Sequence, residues 1–170
     1  AQIPIIYATA LRATRIIVPC IAMKERVIKR LPTTRDRVEV RFHPVSPVTE
    51  NSRPSDRPDR ILVPIVNSPY KRMGAHVANL AAAALNVNVE ILLTDQPASY
   101  NARLAANPKL RFIGKQTPQK LAHHWSSARV VYYPTQLESF GYPLAEARVN
   151  GKPVIALQSS QNFEIAGHSL

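Results

Sequence analysis

The stretch 130–156 constrains the fold more than any other. Val130-Val131-Tyr132-Tyr133 is a short apolar strand halted at Pro134, and a loop rich in polar and small residues follows. The spacing then predicts a helix from Tyr142, with Pro143 in its first turn, where a missing backbone donor costs nothing. That helix closes before Gly151, and Pro153-Val154-Ile155-Ala156 reads as a second strand. Strand, helix and strand in this order build a parallel sheet, because parallel neighbours need a crossover between them. Glu138 falls in the loop and Glu146 on the helix, with Phe140-Gly141 between them. Unpaired amides at a helix N-terminus attract phosphate, and Gly141 lets a ligand approach the backbone closely. Two carboxylates beside an anion site suit a ligand that carries hydroxyls as well as phosphate. A sugar nucleotide is such a ligand.

The same alternation runs back along the chain. Residues 61–66 (Ile-Leu-Val-Pro-Ile-Val) read as a strand, with Pro64 an awkward occupant of a sheet interior. A helix is predicted over 73–85 and a strand over 89–94. A weak helix near 99–106, a strand over 110–113 and a helix over 117–127 capped by Thr117 complete the series. Strands alternating with helices at this interval mean an α/β fold with a doubly wound parallel sheet. Ligands of such sheets sit outside the carboxyl ends of the strands. Those ends carry Asn67-Ser-Pro-Tyr-Lys71-Arg72, then Gly114-Lys115-Gln116, then 135–141, then Gln158-Ser-Ser-Gln161. Basic, small and acidic residues thus collect on one edge.

Before this unit lies a smaller one. Ile16-Ile17-Val18 is a short strand ending at Pro19. Residues 21–31 form an amphipathic helix with Met23, Val27, Ile28 and Leu31 on one side. Lys24, Arg26, Lys29 and Arg30 take the solvent side, and 38–43 alternates like a strand. Two strands and a helix cannot bury a core alone, so this segment is expected to be the tail of a larger domain that begins before Ala1. Residues 46–60, with Pro47, Pro54 and Pro58 among polar residues, read as a linker. The expected organisation is 1–45, a linker over 46–60, and a ligand-binding domain over 61–170.

Composition narrows the partners. At 170 residues and 45% hydrophobic content the chain holds one domain, or one domain and a piece of another. No apolar run is long enough to span a bilayer, and Ala1-Gln-Ile-Pro-Ile-Ile lacks the basic n-region of a secretory signal. Cys20 is the sole cysteine, which points to a reducing, cytoplasmic setting and to a small buried hydrophobe. A formal net charge of +11 favours an anionic partner. Aromatics make up only 6%, without a basic-aromatic pattern, which argues against nucleic acid. His123-His124 beside Trp125 reads as helix surface, since no third ligand at zinc spacing accompanies it.

Glu138-Ser-Phe-Gly-Tyr-Pro-Leu-Ala-Glu146 resembles the Glu-x7-Glu motif of retaining glycosyltransferases of family four with the GT-B fold. Asn150-Gly-Lys-Pro-Val-Ile-Ala156 is similar to their Gly-x-Pro-Val-Ile-Ala strand, Phe163-Glu164 to their Pro-Glu pair, and Phe112-Ile-Gly114 to their strand-end Phe-Leu-Gly. Lys71 matches the lysine of their Pro-x-Lys-Gly turn. The match covers most of 61–170, and 14–45 resembles the last strand and helix of their N-terminal domain. The chain departs at Ile65-Val66, where the group usually has Gly-Arg, which leaves Arg72 as the candidate phosphate arginine.

The resemblance implies a Rossmann-like, GT-B C-terminal domain with a remnant of the N-terminal one, ending before the last strand and returning helix. It implies sugar transfer from a nucleoside-diphosphate sugar, without metal or resident cofactor, to a glycan, lipid or small-molecule acceptor. By resemblance Glu138 lies against the donor sugar as the catalytic residue, and Glu146 binds ribose hydroxyls. The resemblance also implies that Lys71 and the Phe140-Gly141 backbone hold the diphosphate, and Arg72, Gly114, Lys115 and Tyr142, from the ligand edge and the helix start, complete the expected donor site. Members that glycosylate lipids use basic surfaces on membranes, which makes the 24–30 face a candidate peripheral contact with a bilayer's inner face. Two rival readings are a sugar-nucleotide-binding module without chemistry and a basic α/β nucleic-acid-binding protein.

Overall fold

Runs such as Leu62-Val63 and Ile91-Leu92-Leu93 show no polar alternation, so strands made from them must be covered on both faces. The computed structural model, which describes residues 3–47, 59–68, 71–135 and 138–170, meets that demand with a parallel sheet of five strands. Its strands are β3 (Asp59–Val63), β4 (Val89–Leu93), β5 (Leu110–Phe112), β6 (Val130–Tyr133) and β7 (Val154–Ala156), in the order β5-β4-β3-β6-β7. The crossovers are α3 (Met73–Ala83), α4 (Ala102–Ala105), α5 (Pro118–Ser127) and α6 (Tyr142–Val149), and α7 (Ser160–Ala166) follows β7. Winding outward from β3 and then back to β6 with right-handed crossovers sets α3 and α4 on one face and α5 and α6 on the other. The core lies between them: Leu62, Val63, Ile91, Leu92, Leu93 and Val131 are fully buried, against Met73 and Val77 of α3, Trp125 of α5 and Leu144 of α6.

Local chemistry sets the element ends. Strand β3 stops at Val63 rather than running to 66, because Pro64 has no N–H to give to a ladder. In place of one weak helix over 99–106 there are a 3-10 turn (Pro97–Ser99) and a single turn, α4, whose cap Asn101 accepts from the Leu104 amide at 3.0 Å. Thr117 caps α5 as its sequence suggests, accepting from Lys120 at 3.4 Å.

The N-terminal segment is a second β-α-β unit. Strand β1 (Ile16–Val18) pairs in parallel with β2 (Val38–Val40), joined through α2 (Ile21–Arg30) and a 3-10 turn at Pro32–Arg37. The strand expected over 38–43 ends at Val40, since β1 stops before Pro19 and leaves Phe42 and His43 nothing to pair with. A helix that the sequence reading did not anticipate, α1 (Ile3–Arg12), precedes this unit, and so does α7 go unanticipated at the far end. Most of the expected linker, 48–58, lies outside the described residues, but its last two positions, Asp59 and Arg60, belong to β3, where they pair with Val89 and Glu90. Of the four cations assigned to the solvent side of α2, Arg26 is elsewhere: its guanidinium turns toward α7 and the loop after β6.

One ion pair is built into the sheet. Arg60 of β3 is 5% exposed and stands in register with Glu90 of β4; its Nε donates to Glu90 at 2.9 Å and its Nη1 to Ser127 at 3.2 Å. Arg111 reaches the same carboxylate from β5 at 3.3 Å, but is 58% exposed. Breaking a buried pair costs about 3 kcal/mol because the surviving charge is stranded, whereas an exposed partner contributes well under 1 kcal/mol. In urea denaturation Glu90→Gln is therefore expected to lower stability by about 3 kcal/mol and Arg111→Gln by less than about 0.5 kcal/mol. Equal small losses from the two variants would show that the Arg60 pair contributes nothing.

Candidate functional site

All carboxyl ends of a parallel sheet open on one edge. Here the strand order reverses between β3 and β6, so the loops leaving those two strands diverge and open a crevice. The loop after β3 supplies Lys71 and the loop after β6 supplies Glu138. Lys71 Nζ stands 2.7 Å from Glu138 Oε1, with the two side chains 20% and 22% exposed. That carboxylate oxygen is itself sealed from solvent and accepts no well-aligned hydrogen bond among the described residues. Residues 69–70 and 136–137 of these two loops lie outside the described residues.

The Lys71 loop is braced from β4. Asp95, at the carboxyl end of that strand and 4% exposed, accepts from the Asn67 amide at 2.7 Å, the Gln96 amide at 2.8 Å and the Ser99 hydroxyl at 2.9 Å. Asn67 in turn accepts from the Met73 amide at 3.1 Å, which caps α3. Between them Arg72 adopts a left-handed backbone, φ 49°, ψ 38°, uncommon for a residue with a side chain. Arg72 is exposed and lines a pocket of about 470 Å³ together with Asn67, Ser68, Gly74, Ala75 and Ser99. It does not join the Lys71–Glu138 pair.

On the other side of the crevice the chain turns into α6 through Gly141, at φ 93° and ψ 61°. A Cβ there would lie 3.3 Å from Leu144 Cδ1 and 3.6 Å from Tyr133 Cε1. Glycine is required both by the dihedral and by the close approach. Phe140 is buried and serves the core with its ring, so only its backbone faces the loop. Tyr142 is half exposed and stacks on His43 of the N-terminal segment, ring centres 5.2 Å apart, while His43 also meets the Phe140 ring edge at 5.0 Å. Glu146 sits one turn further along α6, and burial raises its carboxyl above the ordinary value. Burial pushes the Tyr133 phenol up, partly opposed by Thr135 and further helped by the Glu138 carboxylate and the charge of Glu146.

The N-terminal segment touches this loop directly. Glu164 of α7 accepts from the Ile21 and Ala22 amides at 2.6 and 3.0 Å, capping α2, whose own cap residue Cys20 offers no side-chain bond. Cys20 is fully buried, with its thiol pushed up by burial. Gln161 and Asn162, also of α7, donate to carbonyls on either flank of Glu138. Sequence reasoning placed Gln161 on the ligand edge without a role and missed Asn162, Asp95, His43 and the inward turn of Arg26. The edge rule would have found Asp95, two residues beyond β4; the others depend on contacts distant in sequence.

Gly114 and Lys115 follow β5, which β4 separates from the switch point, so they stand roughly 10 Å, two strand spacings, from the end of β3. Gly114 is explained locally: its φ is +64°, and a Cβ would meet Gln96 Nε2 at 2.5 Å. Among the described residues no three His, Cys, Asp or Glu converge as metal ligands, and no helix is long and apolar enough to cross a membrane. Trp125 is buried, and burial lowers the pKa of the neighbouring His124.

Residues 56–169 match the family model described as glycosyl transferases group 1. A D-inositol 3-phosphate glycosyltransferase of Nocardioides sp. is 30% identical over 97 residues, 57% of this chain but only 19% of that protein's length. A second, from Corynebacterium kroppenstedtii, is 36% identical over 56 residues, covering 33% of this chain and 12% of its own. Among solved structures, Anabaena HepE in complex with UDP-glucose superposes with a TM-score of 0.69 at 19% identity, over 89% of this chain and 47% of HepE. The C-terminal domain of a group 1 family protein, LpcC from Francisella tularensis, gives 0.52 at 13% identity, over 73% of this chain and 85% of its own. The chain thus spans less than half the length of the curated relatives and of HepE.

The raised Glu146 carboxyl has a sign that can be tested. The folded protein holds this proton more tightly than the unfolded chain, so stability falls as pH rises from the ordinary carboxylate value through the raised one. Above that window the cost of a desolvated carboxylate is fully present. Glu146→Gln is therefore expected to match the parent near pH 4 and to gain on it toward pH 7, read as the difference in urea midpoint. A pH-independent difference would place the burial cost elsewhere.

Proposed function

Because the chain belongs to the glycosyl transferases group 1 family, we propose that it forms the donor-binding half of a retaining glycosyltransferase. On this reading a sugar moves from a nucleoside-diphosphate sugar to an acceptor held from across the crevice. The observation that carries it is the Lys71–Glu138 pair at the β3/β6 switch point: a cation 2.7 Å from a carboxylate oxygen sealed from solvent, beside the start of α6. Without donor, Lys71 and Glu138 neutralise one another. A diphosphate takes over Lys71, and the released Glu138 faces the sugar.

The charges fit the bond that breaks. As the anomeric carbon separates from the β-phosphate oxygen, negative charge collects on the diphosphate and positive charge on the sugar ring. Lys71 and the first amides of α6 meet the former, supplying the positive charge that a metal ion would otherwise bring, and Glu138 meets the latter. Glu146, one turn along the same helix, accepts from the ribose hydroxyls. HepE, which shares this fold, is recorded with UDP-glucose, in keeping with a nucleotide-sugar donor. Arg72 follows Lys71 on the same loop as the candidate second phosphate cation, and Gly114 and Lys115 lie further along the edge after β5, where the base would extend.

Two measurements test this. Glu138→Gln in the full-length protein is expected to lower kcat at least tenfold while nucleoside-diphosphate affinity stays within about 1 kcal/mol, since a group acting on the transition state moves the rate more than ground-state binding. Parental turnover in that variant would end the catalytic assignment of Glu138, whereas no transfer by the unmutated full-length protein would leave a binding module. Lys71→Ala is expected to shrink the affinity advantage of the diphosphate over its nucleoside, measured by calorimetry after thermal-shift screening of UDP, GDP, ADP and dTDP. An unchanged advantage would move the anion site away from Lys71.

A further inference from the structure

We infer that Gln161 is a positioning residue for Glu138 and that Arg26 of α2 orients it. The inference rests on the reading of Glu138 as the residue facing the donor sugar. The loop that carries Glu138 has two carbonyls turned inward, Glu138 O and Phe140 O. Both accept from one amide: Gln161 Nε2 lies 3.0 Å from the first and 3.1 Å from the second. Gln161 is 2% exposed, so neither bond competes with bulk water. An amide can be turned end for end, and only one orientation donates here. Arg26 decides which, because its Nη2 donates to Gln161 Oε1 and a guanidinium cannot accept. Its Nη1 also approaches Glu138 O, at 3.4 Å.

The next residue of α7 holds the other shoulder. Asn162 Nδ2 donates to Thr135 O at 3.3 Å and to Leu157 O at 2.7 Å. Consecutive amides on one short helix therefore grip the loop before and after Glu138. The Glu138 carboxylate is held by Lys71 at 2.7 Å. On the reading above a diphosphate takes over that lysine, and the backbone on either side of Glu138 must then keep it in place. Arg26 belongs to a different β-α-β unit from Glu138, and α2 is fastened to α7 by the Glu164 cap. The loop that carries the Glu138 carboxylate is thereby tied to both β-α-β units. Displacing such a group by an ångström lowers turnover without loosening the nucleotide, which other residues hold.

The test uses the full-length protein and the nucleotide sugar selected from the UDP, GDP, ADP and dTDP series by thermal shift. Gln161→Glu keeps the shape and the acceptor for Arg26 but sets a carboxylate against two carbonyl oxygens. It is expected to lower kcat at least tenfold, with donor KM and nucleoside-diphosphate affinity within threefold. In a Glu138→Gln background the same change is expected to cost less than twofold, because its effect passes through Glu138. Arg26→Ala, on a half-exposed side chain, should give a smaller fall in kcat that Arg26→Lys partly restores, and it serves if Gln161→Glu fails to fold. Parental kcat in folded Gln161→Glu and Arg26→Ala, or an equal loss of nucleotide affinity and kcat, overturns this positioning role. If Glu138→Gln itself turns over like the parent, the reading of Glu138 falls first, and the two failures are told apart by that variant.

Discussion

The parallel pairing of β3 with β6 is the constraint on which the remaining features depend. Ile61 pairs with Val130 and Leu62 with Val131, and this single seam joins the half of the sheet wound one way to the half wound the other. Parallel strands must be buried on both faces, which explains the unbroken apolar runs and the helices on either side. They also send every connecting loop of the same polarity to one edge. The two loops flanking the seam diverge, and the residues they carry, Lys71 and Glu138, meet across the gap although 67 positions (138 − 71) separate them in the chain. Without the reversal those residues would be set on unrelated parts of the surface.

Burial then imposes a second demand. A loop that dives between α6, α7 and α2 brings carbonyls out of reach of water, and each unsatisfied one costs on the order of 1–3 kcal/mol. Gln161 and Asn162 meet that demand with side-chain amides. On the β4 side a buried carboxylate answers the reverse need, Asp95 accepting from amides and a hydroxyl. Donors thus hold one wall of the crevice and an acceptor holds the other. The same accounting explains Glu164, whose carboxylate completes α2 where Cys20 supplies no cap. The result is an edge whose loops are fixed by chemistry drawn from elements far away in sequence.

Hydrophobic periodicity, proline placement and turn residues sufficed to determine the class of fold. The strands at 16–18 and 130–133, the helix beginning at Tyr142, the Thr117 cap and the parallel arrangement follow from forces that act within about ten residues, and such forces are written directly in local sequence. The Glu138 and Glu146 spacing and the glycine between them were legible for the same reason, since one loop and one helix fix their separation. Strand ends were less so: β2 was read too long and β3 was read two residues late at its start and three late at its end, because where a strand begins and ends depends on whether a partner runs beside it. Arg26 shows the limit most plainly. Helical periodicity sets it among lysines on a polar face, and nothing within α2 says that Gln161 waits on that face rather than water. Only the tertiary structure decided which polar residues turn inward, that Lys71 pairs with Glu138, and that α7 grips the loop between them. Those are contacts between segments, and their energies depend on distances that no local pattern encodes.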